Sequence, residues 1–239
     1  MGETEVTCEL WNEVYTWALS HGYHFANAGT MGWGSGVTNQ HPVVNINWRD
    51  ATVWCNAISE MAGLAPVYIY LDGDVYVVVR DSRDTNAVQC DNVHTVPSSN
   101  GYRLPEMIEW ECAARYLGTA NPGYGIENPA SSGIYWTPGT FASGASADCN
   151  DENATGKVGW YLDNSSGSTH AVKGKDPNTL GLYDMSGNVW EFISSILVRG
   201  GSWNEHALSL MIGYDSFYNF SPSPDWERND FGFRIVRTR

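Results

Sequence analysis

Positive charge is scarce in this chain. Of 239 residues, 13 are lysine or arginine and 27 are aspartate or glutamate, a formal net charge of −14. So acidic a surface repels phosphate backbones and anionic headgroups, which argues against a nucleic-acid partner. Long apolar runs are missing too, so nothing reads as a membrane-spanning helix. The five cysteines, Cys8, Cys55, Cys90, Cys112 and Cys149, contain no Cys-x-x-Cys pair, which removes the usual basis for a structural zinc site. Cys55 and Cys112 fall inside helix-like apolar patterns and read as small buried hydrophobes. A disulfide through Cys90 or Cys149 stays open. No Gly-x-Ser-x-Gly nucleophile elbow occurs. The histidines, His21, His24, His41, His94, His170 and His206, form no i, i+4 pair or ligand triad. No internal repeat stands out.

Aromatic residues are abundant: 11 Trp and 13 Tyr, in a chain that is 42% hydrophobic and only 17% charged. That balance is the reverse of a disordered chain and supports one domain over residues 1–239. Apolar spacing predicts helices over about 9–20, 49–62 and 105–116, with Gly22 and Gly63 as stops and Pro105 in a first turn. Residues 67–80 read as a hairpin turning at Asp72-Gly73. Residues 81–100 read as polar loop. The Gly/Ser/Asn-rich stretch 118–181 reads as irregular chain anchored by Trp136, Phe141, Trp160 and Tyr161. Short strands are expected near 182–192, 196–203 and 231–237.

Five strings stand in order along the chain: Asn45-Ile46-Asn47-Trp48-Arg49-Asp50-Ala51; Gly101-Tyr102-Arg103-Leu104-Pro105 with Glu109-Trp110-Glu111 and Ala113-Ala114-Arg115; Gly181-Leu182-Tyr183-Asp184-Met185-Ser186-Gly187-Asn188-Val189-Trp190-Glu191; Arg199-Gly200-Gly201-Ser202-Trp203; and Phe231-Gly232-Phe233-Arg234. Together they resemble the formylglycine-generating-enzyme, or sulfatase-modifying-factor, family from about residue 6 to the end. The resemblance implies an α+β C-type lectin fold of that subtype, with a small antiparallel sheet, two to three helices and much irregular structure.

Enzymes of that family oxidise a cysteine using copper held by two cysteines just after the Arg-Gly-Gly-Ser string. The matching positions here are Glu205 and Leu210. Neither supplies the soft thiolate that Cu(I) needs, so no enzyme activity and no required cofactor are expected. The resemblance also implies a structural calcium ion on Gly187, Val189 and Glu191, whose oxygen ligands suit a hard cation. The competing reading is that Glu191 only hydrogen-bonds within the protein.

Between Ser202 and Phe231 the chain departs from the enzymes. Its aromatic, Ser and Asn content, without lysine, matches the composition of antibody loops: broad rigid contact area plus adaptable hydrogen bonding. The stretch resembles the C-terminal region of variable proteins diversified by retroelements. That resemblance implies a ligand-binding region over about 202–231. Trp203, Ala207, Leu210, Ile212, Gly213, Gly232 and Phe233 would form its framework. Asn204, Glu205, His206, Leu208, Ser209, Met211, Tyr214, Asp215, Phe217, Tyr218, Phe220, Trp226, Asn229 and Asp230 would face the ligand. The same resemblance implies a bacterial cell-surface, outer-membrane or secreted protein, with a lipid anchor ahead of Met1. It also implies a protein or glycan ligand on another cell. A monomer is expected. The alternatives are an oxidase of the formylglycine-generating class and a structural accessory domain of the cell envelope.

Overall fold

The computed structural model describes residues 1–127, 133–214 and 222–237. Two helices form its scaffold. Helix α1 (Cys8–Leu19) is capped by Thr7, whose hydroxyl accepts the Leu10 N–H. Helix α2 (Trp48–Met61) begins with a capping box, Asn47 and Asp50 each accepting the other's backbone N–H. The Asp50 carboxylate, fully buried, also accepts from Ala26 N–H, the Asn27 amide and the Ser82 hydroxyl. One helix cap thereby ties down two loops. The helices pack through Trp11 and Trp54, stacked with ring centroids 5.9 Å apart, and Phe233 meets both edge-on.

That phenylalanine belongs to the sheet that organises the other half of the molecule. Strand Trp190–Phe192 lies between Val198–Arg199, paired antiparallel, and Phe231–Phe233, paired parallel. The sheet is therefore mixed. A parallel pair cannot be joined by a tight turn and needs a long crossover. Here the crossover contains the segment from Gly200 to Asp230, so both ends of the candidate binding region are fixed in one small sheet.

The remaining elements are small. The hairpin pairs Tyr68–Asp72 with Val75–Val78, and its turn residues are Gly73-Asp74, one position later than expected, with Gly73 at φ +60°. Helix α3 (Ala87–Asp91) interrupts a stretch read as loop. Helix α4 (Met107–Arg115) starts after Pro105, because Glu106 and Glu109 form the capping box there. Helix α5 (Glu152–Val158) lies in the stretch read as irregular, capped by Asp151. The expected strand from 182 shortens to Trp190–Phe192, since Asp184, Gly187 and Asn188 all take positive φ. All five cysteines are free thiols. No helix among the described residues is long and apolar enough to cross a membrane.

The sheet centre carries a buried charge cluster. Arg234 donates to both Glu191 oxygens from Nε at 2.7 Å, and the Trp110 indole donates to Glu191 Oε2 at 2.6 Å. Arg234 also reaches the carbonyls of Gly2 and Tyr183. Nearby, Glu5 accepts from the Asn188 amide and the Val189 N–H. Breaking a buried pair strands the other charge. Glu191→Gln should therefore cost about 3–5 kcal/mol in urea unfolding, whereas Glu3→Gln, which breaks the exposed pair with Lys173, should cost under about 1 kcal/mol. Equal costs would mean that the buried pair carries no special weight.

Asp184 sits beside this cluster, and burial pushes its carboxyl up from 3.8 to about 6, the Glu191 charge adding to the shift. Burial likewise raises Glu5, with Asp184 and Glu191 contributing. These groups hold protons more tightly in the folded chain than in the unfolded one. Their contribution to stability therefore grows as pH falls from about 7 through the folded value towards the unfolded one, and is lost as pH rises again. Asp184→Asn keeps an acceptor for the Lys173 N–H. It should raise stability at pH 7 by on the order of 2 kcal/mol and make the slope below pH 7 shallower. An unchanged slope in urea titrations across that range would contradict the assignment.

Candidate functional site

The segment after Gly200 is held by its main chain. The two glycines are required sterically: a Cβ on Gly200 would lie 3.1 Å from the Met185 carbonyl, and one on Gly201 2.8 Å from that of Ser209. Trp203 N–H donates to Asn188, its carbonyl accepts from the Ser165 hydroxyl, and its indole reaches the Asn229 carbonyl. The carbonyl of Glu205 accepts from Leu162 N–H, and that of Leu210 from the Ser186 hydroxyl. Arg199 closes the far side, donating to the carbonyls of Ile212 at 2.6 Å and Tyr214 at 3.0 Å, with its guanidinium over the Trp110 ring. Ile212 and Gly213 donate N–H groups to the carbonyls of Phe141 and Gly139. At the returning end, Arg228 accepts from Asn45 N–H, and Asp230 from Trp190 N–H. Most of these bonds engage atoms that every amino acid possesses.

Side chains divide accordingly. Of the expected framework, Trp203, Leu210, Ile212, Gly232 and Phe233 are buried, and Ala207 is half-buried. Leu210 packs with Val158 and Tyr161, and Ile212 with Trp110 and Met185, so the segment is plugged into two separate apolar clusters. Gly213 is exposed, and its place in the framework is steric: a Cβ there would lie 3.0 Å from the Gly139 carbonyl. Of the expected ligand-facing set, Asn204, His206, Leu208 and Trp226 are exposed, Leu208 by 55% and Trp226 by 43%. Glu205, Met211 and Asn229 are half-buried.

Three members of that set turn inward. Asp230 is fully buried, accepting from Arg228 Nε at 2.8 Å and from the Ser202 hydroxyl. It fastens the returning end of the segment. Ser209 is 5% exposed and directs its hydroxyl to Glu205. The 3₁₀ turn Ala207–Leu210 has three residues per turn and turns Ser209 and Leu210 inward while Leu208 stays exposed. Tyr214 is half-buried, its ring centroid 6.0 Å from that of Trp190. Asp215, Phe217, Tyr218 and Phe220 lie outside the described residues.

Among the described residues, the side chains at the positions read for the family's two metals do not fit them. Around the copper position stand Glu205 and the buried Leu210, and no thiolate follows Cys149 in the sequence. The calcium reading meets a different obstacle. Both oxygens of Glu191 are engaged by Arg234 and Trp110, and a divalent cation there would face a buried guanidinium. Glu191 thus hydrogen-bonds within the protein, through side chains rather than backbone. Among the described residues, no group of three or more His, Cys, Asp or Glu side chains could hold a metal ion.

Helices flanking a small sheet, with long irregular chain anchored by tryptophans and a crossover pinned at both ends, define a C-type lectin fold of the formylglycine-generating-enzyme subtype. The chain belongs to the sulfatase-modifying factor enzyme 1-like domain family, which it matches over residues 1–239. Its fold is similar to that of Treponema denticola variable protein 1, with 30% identity and a TM-score of 0.69, covering 98% of this chain and 82% of that one. A crystal structure of CarF is similar at 25% identity and a TM-score of 0.65, covering 98% and 84%. PvdO from Pseudomonas aeruginosa, at 18% identity and a TM-score of 0.56, covering 98% and 77%, shares the fold. In sequence, the chain is 29% identical over 217 residues to the chaperone protein LppX of Paenibacillus barcinonensis, covering 84% of this chain and 71% of that one.

The motifs made the pinned ends visible in advance, but two anchors were not foreseen. Arg199 stands in one of the five strings, but its bonds to the Ile212 and Tyr214 carbonyls, 13 and 15 positions on, have no local signature. Glu5 carried no signal at all, because its partners Asn188 and Val189 are more than 180 positions away. If the segment is arranged as described, hydroxyl-radical footprinting should label Trp226 rapidly while Trp110, Trp190 and Trp203 stay protected. Equal protection of Trp226 would make the segment packing material.

Proposed function

We propose that this protein binds ligands through the face formed by residues 202–231, and that its task is recognition rather than catalysis. One observation supports this reading most directly. The described parts of the segment are fixed by main-chain hydrogen bonds and a few buried plugs, while Asn204, His206, Leu208 and Trp226 point outward. A surface held that way keeps its shape when outward side chains change, since surface substitutions usually shift stability by only about 0.5 kcal/mol. It also loses little entropy on binding. The exposed set pairs an aromatic and an aliphatic anchor with amide and imidazole groups, the mixture that suits a protein or glycan surface. Likeness to a variable protein supports the same reading. Diversification of the segment by a retroelement is part of this proposal, as are display outside the cytoplasm, a lipid anchor preceding Met1 and a monomeric state.

The oxidase alternative lacks the thiolates on which the family's copper chemistry depends. The accessory-domain alternative draws on the relative described as a chaperone, but it gives no role to the exposed side chains of the segment.

The test is a library randomised at positions 204, 206, 208 and 226 and displayed on yeast. Most members should fold, with thermal midpoints near the parent's, and selection against an unrelated folded protein should yield binders that compete with one another. Widespread unfolding, or no binders from a folded library, would refute the recognition reading. Copper-dependent oxygen uptake with a cysteine-containing peptide would restore the oxidase reading.

A further inference from the structure

Away from the C-terminal segment, one aromatic ring is presented to solvent on a support that fixes it. Trp33 is 45% exposed. Its flanking residues Gly32 and Gly34 take φ of +49° and +98°. A Cβ on Gly32 would lie 2.4 Å from Thr169 Oγ1, and one on Gly34 2.2 Å from Ser168 Oγ. Both positions therefore need glycine, for conformation and for space. Trp33 N–H donates to Thr169 Oγ1 at 2.9 Å, Thr169 N–H donates back to the Trp33 carbonyl at 2.9 Å, and Ser35 N–H donates to Ser168 Oγ at 3.2 Å. His41 Nδ1 braces Thr169 Oγ1 from behind at 3.0 Å. The exposure of the ring thus belongs to a rigid loop.

Beside the ring opens a cavity of about 390 Å³ lined by Thr30, Gly32, Trp33, Gly34, Val37 and Asn45. Asn45 holds an unusual left-handed backbone, φ +54°. Its N–H donates to the Arg228 carbonyl, and its side-chain amide donates to Thr30 Oγ1 at 2.7 Å. The lining therefore offers one aromatic face, one carboxamide and one hydroxyl. Among the described residues it contains no charged side chain, in a protein whose net charge is −14.

We propose that this cavity binds a neutral carbohydrate, with one hexopyranose ring lying on Trp33 and its hydroxyls paired to Asn45 and Thr30. The C–H groups on one face of a pyranose carry partial positive charge and match the negative face of an indole. A carboxamide and a hydroxyl both donate and accept, as a polyol requires. A lining without charge gives an ionic ligand no partner for its desolvated charge. The volume falls in the range of small-molecule sites, about 300–1,000 Å³. Among the described residues, the lining includes none between Ser202 and Phe231, which sets it apart from the exposed Asn204, His206, Leu208 and Trp226, although the Asn45–Arg228 bond joins the edges of the two regions.

The experiment titrates the full chain with maltotetraose, cellotetraose, mannotetraose and chitotetraose, followed by calorimetry and tryptophan fluorescence. At least one saccharide should bind saturably. Trp33→Ala should weaken that binding roughly tenfold or more through loss of the ring contact, with an unchanged thermal midpoint because the ring is exposed. Asn45→Gly, which tolerates the left-handed backbone while deleting the amide, should weaken it several-fold. Trp226→Ala should bind like the parent, which separates this site from the C-terminal face. The proposal is overturned if none of the saccharides binds, if Trp33→Ala binds like the parent, or if Trp226→Ala abolishes binding while Trp33→Ala does not.

Discussion

The contact between Glu191, Arg234 and Trp110 is the constraint on which the rest of the structure depends. It joins the central strand, the strand after the crossover and helix α4 at one fully buried point. Charges so placed demand full pairing, because a solitary ion away from water is far more costly than a lost apolar contact. Arg234 meets that demand with further bonds to the carbonyls of Gly2 and Tyr183. The chain start is drawn in as well, Gly2 and Val6 N–H groups donating to Ile235 and Phe233. The segments 2–6 and 233–235 thereby become neighbours beside that ion pair, and Phe233, next to Arg234 in the chain, meets the Trp11–Trp54 stack edge-on.

Such an arrangement shifts the burden of specificity away from the crossover. Among the described residues, its path is set by Gly200, Gly201, Arg199, Asp230 and a few plugs, while Asn204, His206, Leu208 and Trp226 keep exposed side chains. The glycine-rich loop around Trp33 follows the same logic at a smaller scale, with backbone bonds and Cβ-free positions fixing the main chain so that one ring can stand in water. In both places inward-facing polar side chains from neighbouring elements hold main-chain atoms, and the outward side chain supplies the chemical character.

Much of this was legible in the residues. Helices α1, α2 and α4 announce themselves through apolar spacing, and the pinned ends of the crossover through Arg199-Gly200-Gly201-Ser202-Trp203 and Phe231-Gly232-Phe233-Arg234. The burial of Ser209 and Asp230 was not legible. The resemblance carried over positions without their local conformation, and a 3₁₀ turn and a local Arg228–Asp230 pair turn these two inward. Helix α5 escaped for a related reason: ENATGKV has no apolar stripe and contains Gly156, so its cap and the burial of Ala154, Thr155 and Val158 hold it in place of propensity. The mixed character of the sheet could not be foreseen either, because the pairing of Trp190–Phe192 with Phe231–Phe233 is a long-range event with no local signature.

That parallel pairing also bears on how the chain is made. The third strand of the sheet and the partner of Glu191 both lie downstream of the crossover and are made after it. Until they emerge, Glu191 has no counterion and Trp11 and Trp54 lack the ring that closes over them. The core of the domain therefore cannot close before Arg234 has been made. A message interrupted or shifted in frame anywhere between Ser202 and Phe231 yields a product without Arg234 and without a closed core. Faulty versions of the crossover would be cleared as unfolded chains, and the fold itself proofreads the reading frame of its most exposed segment.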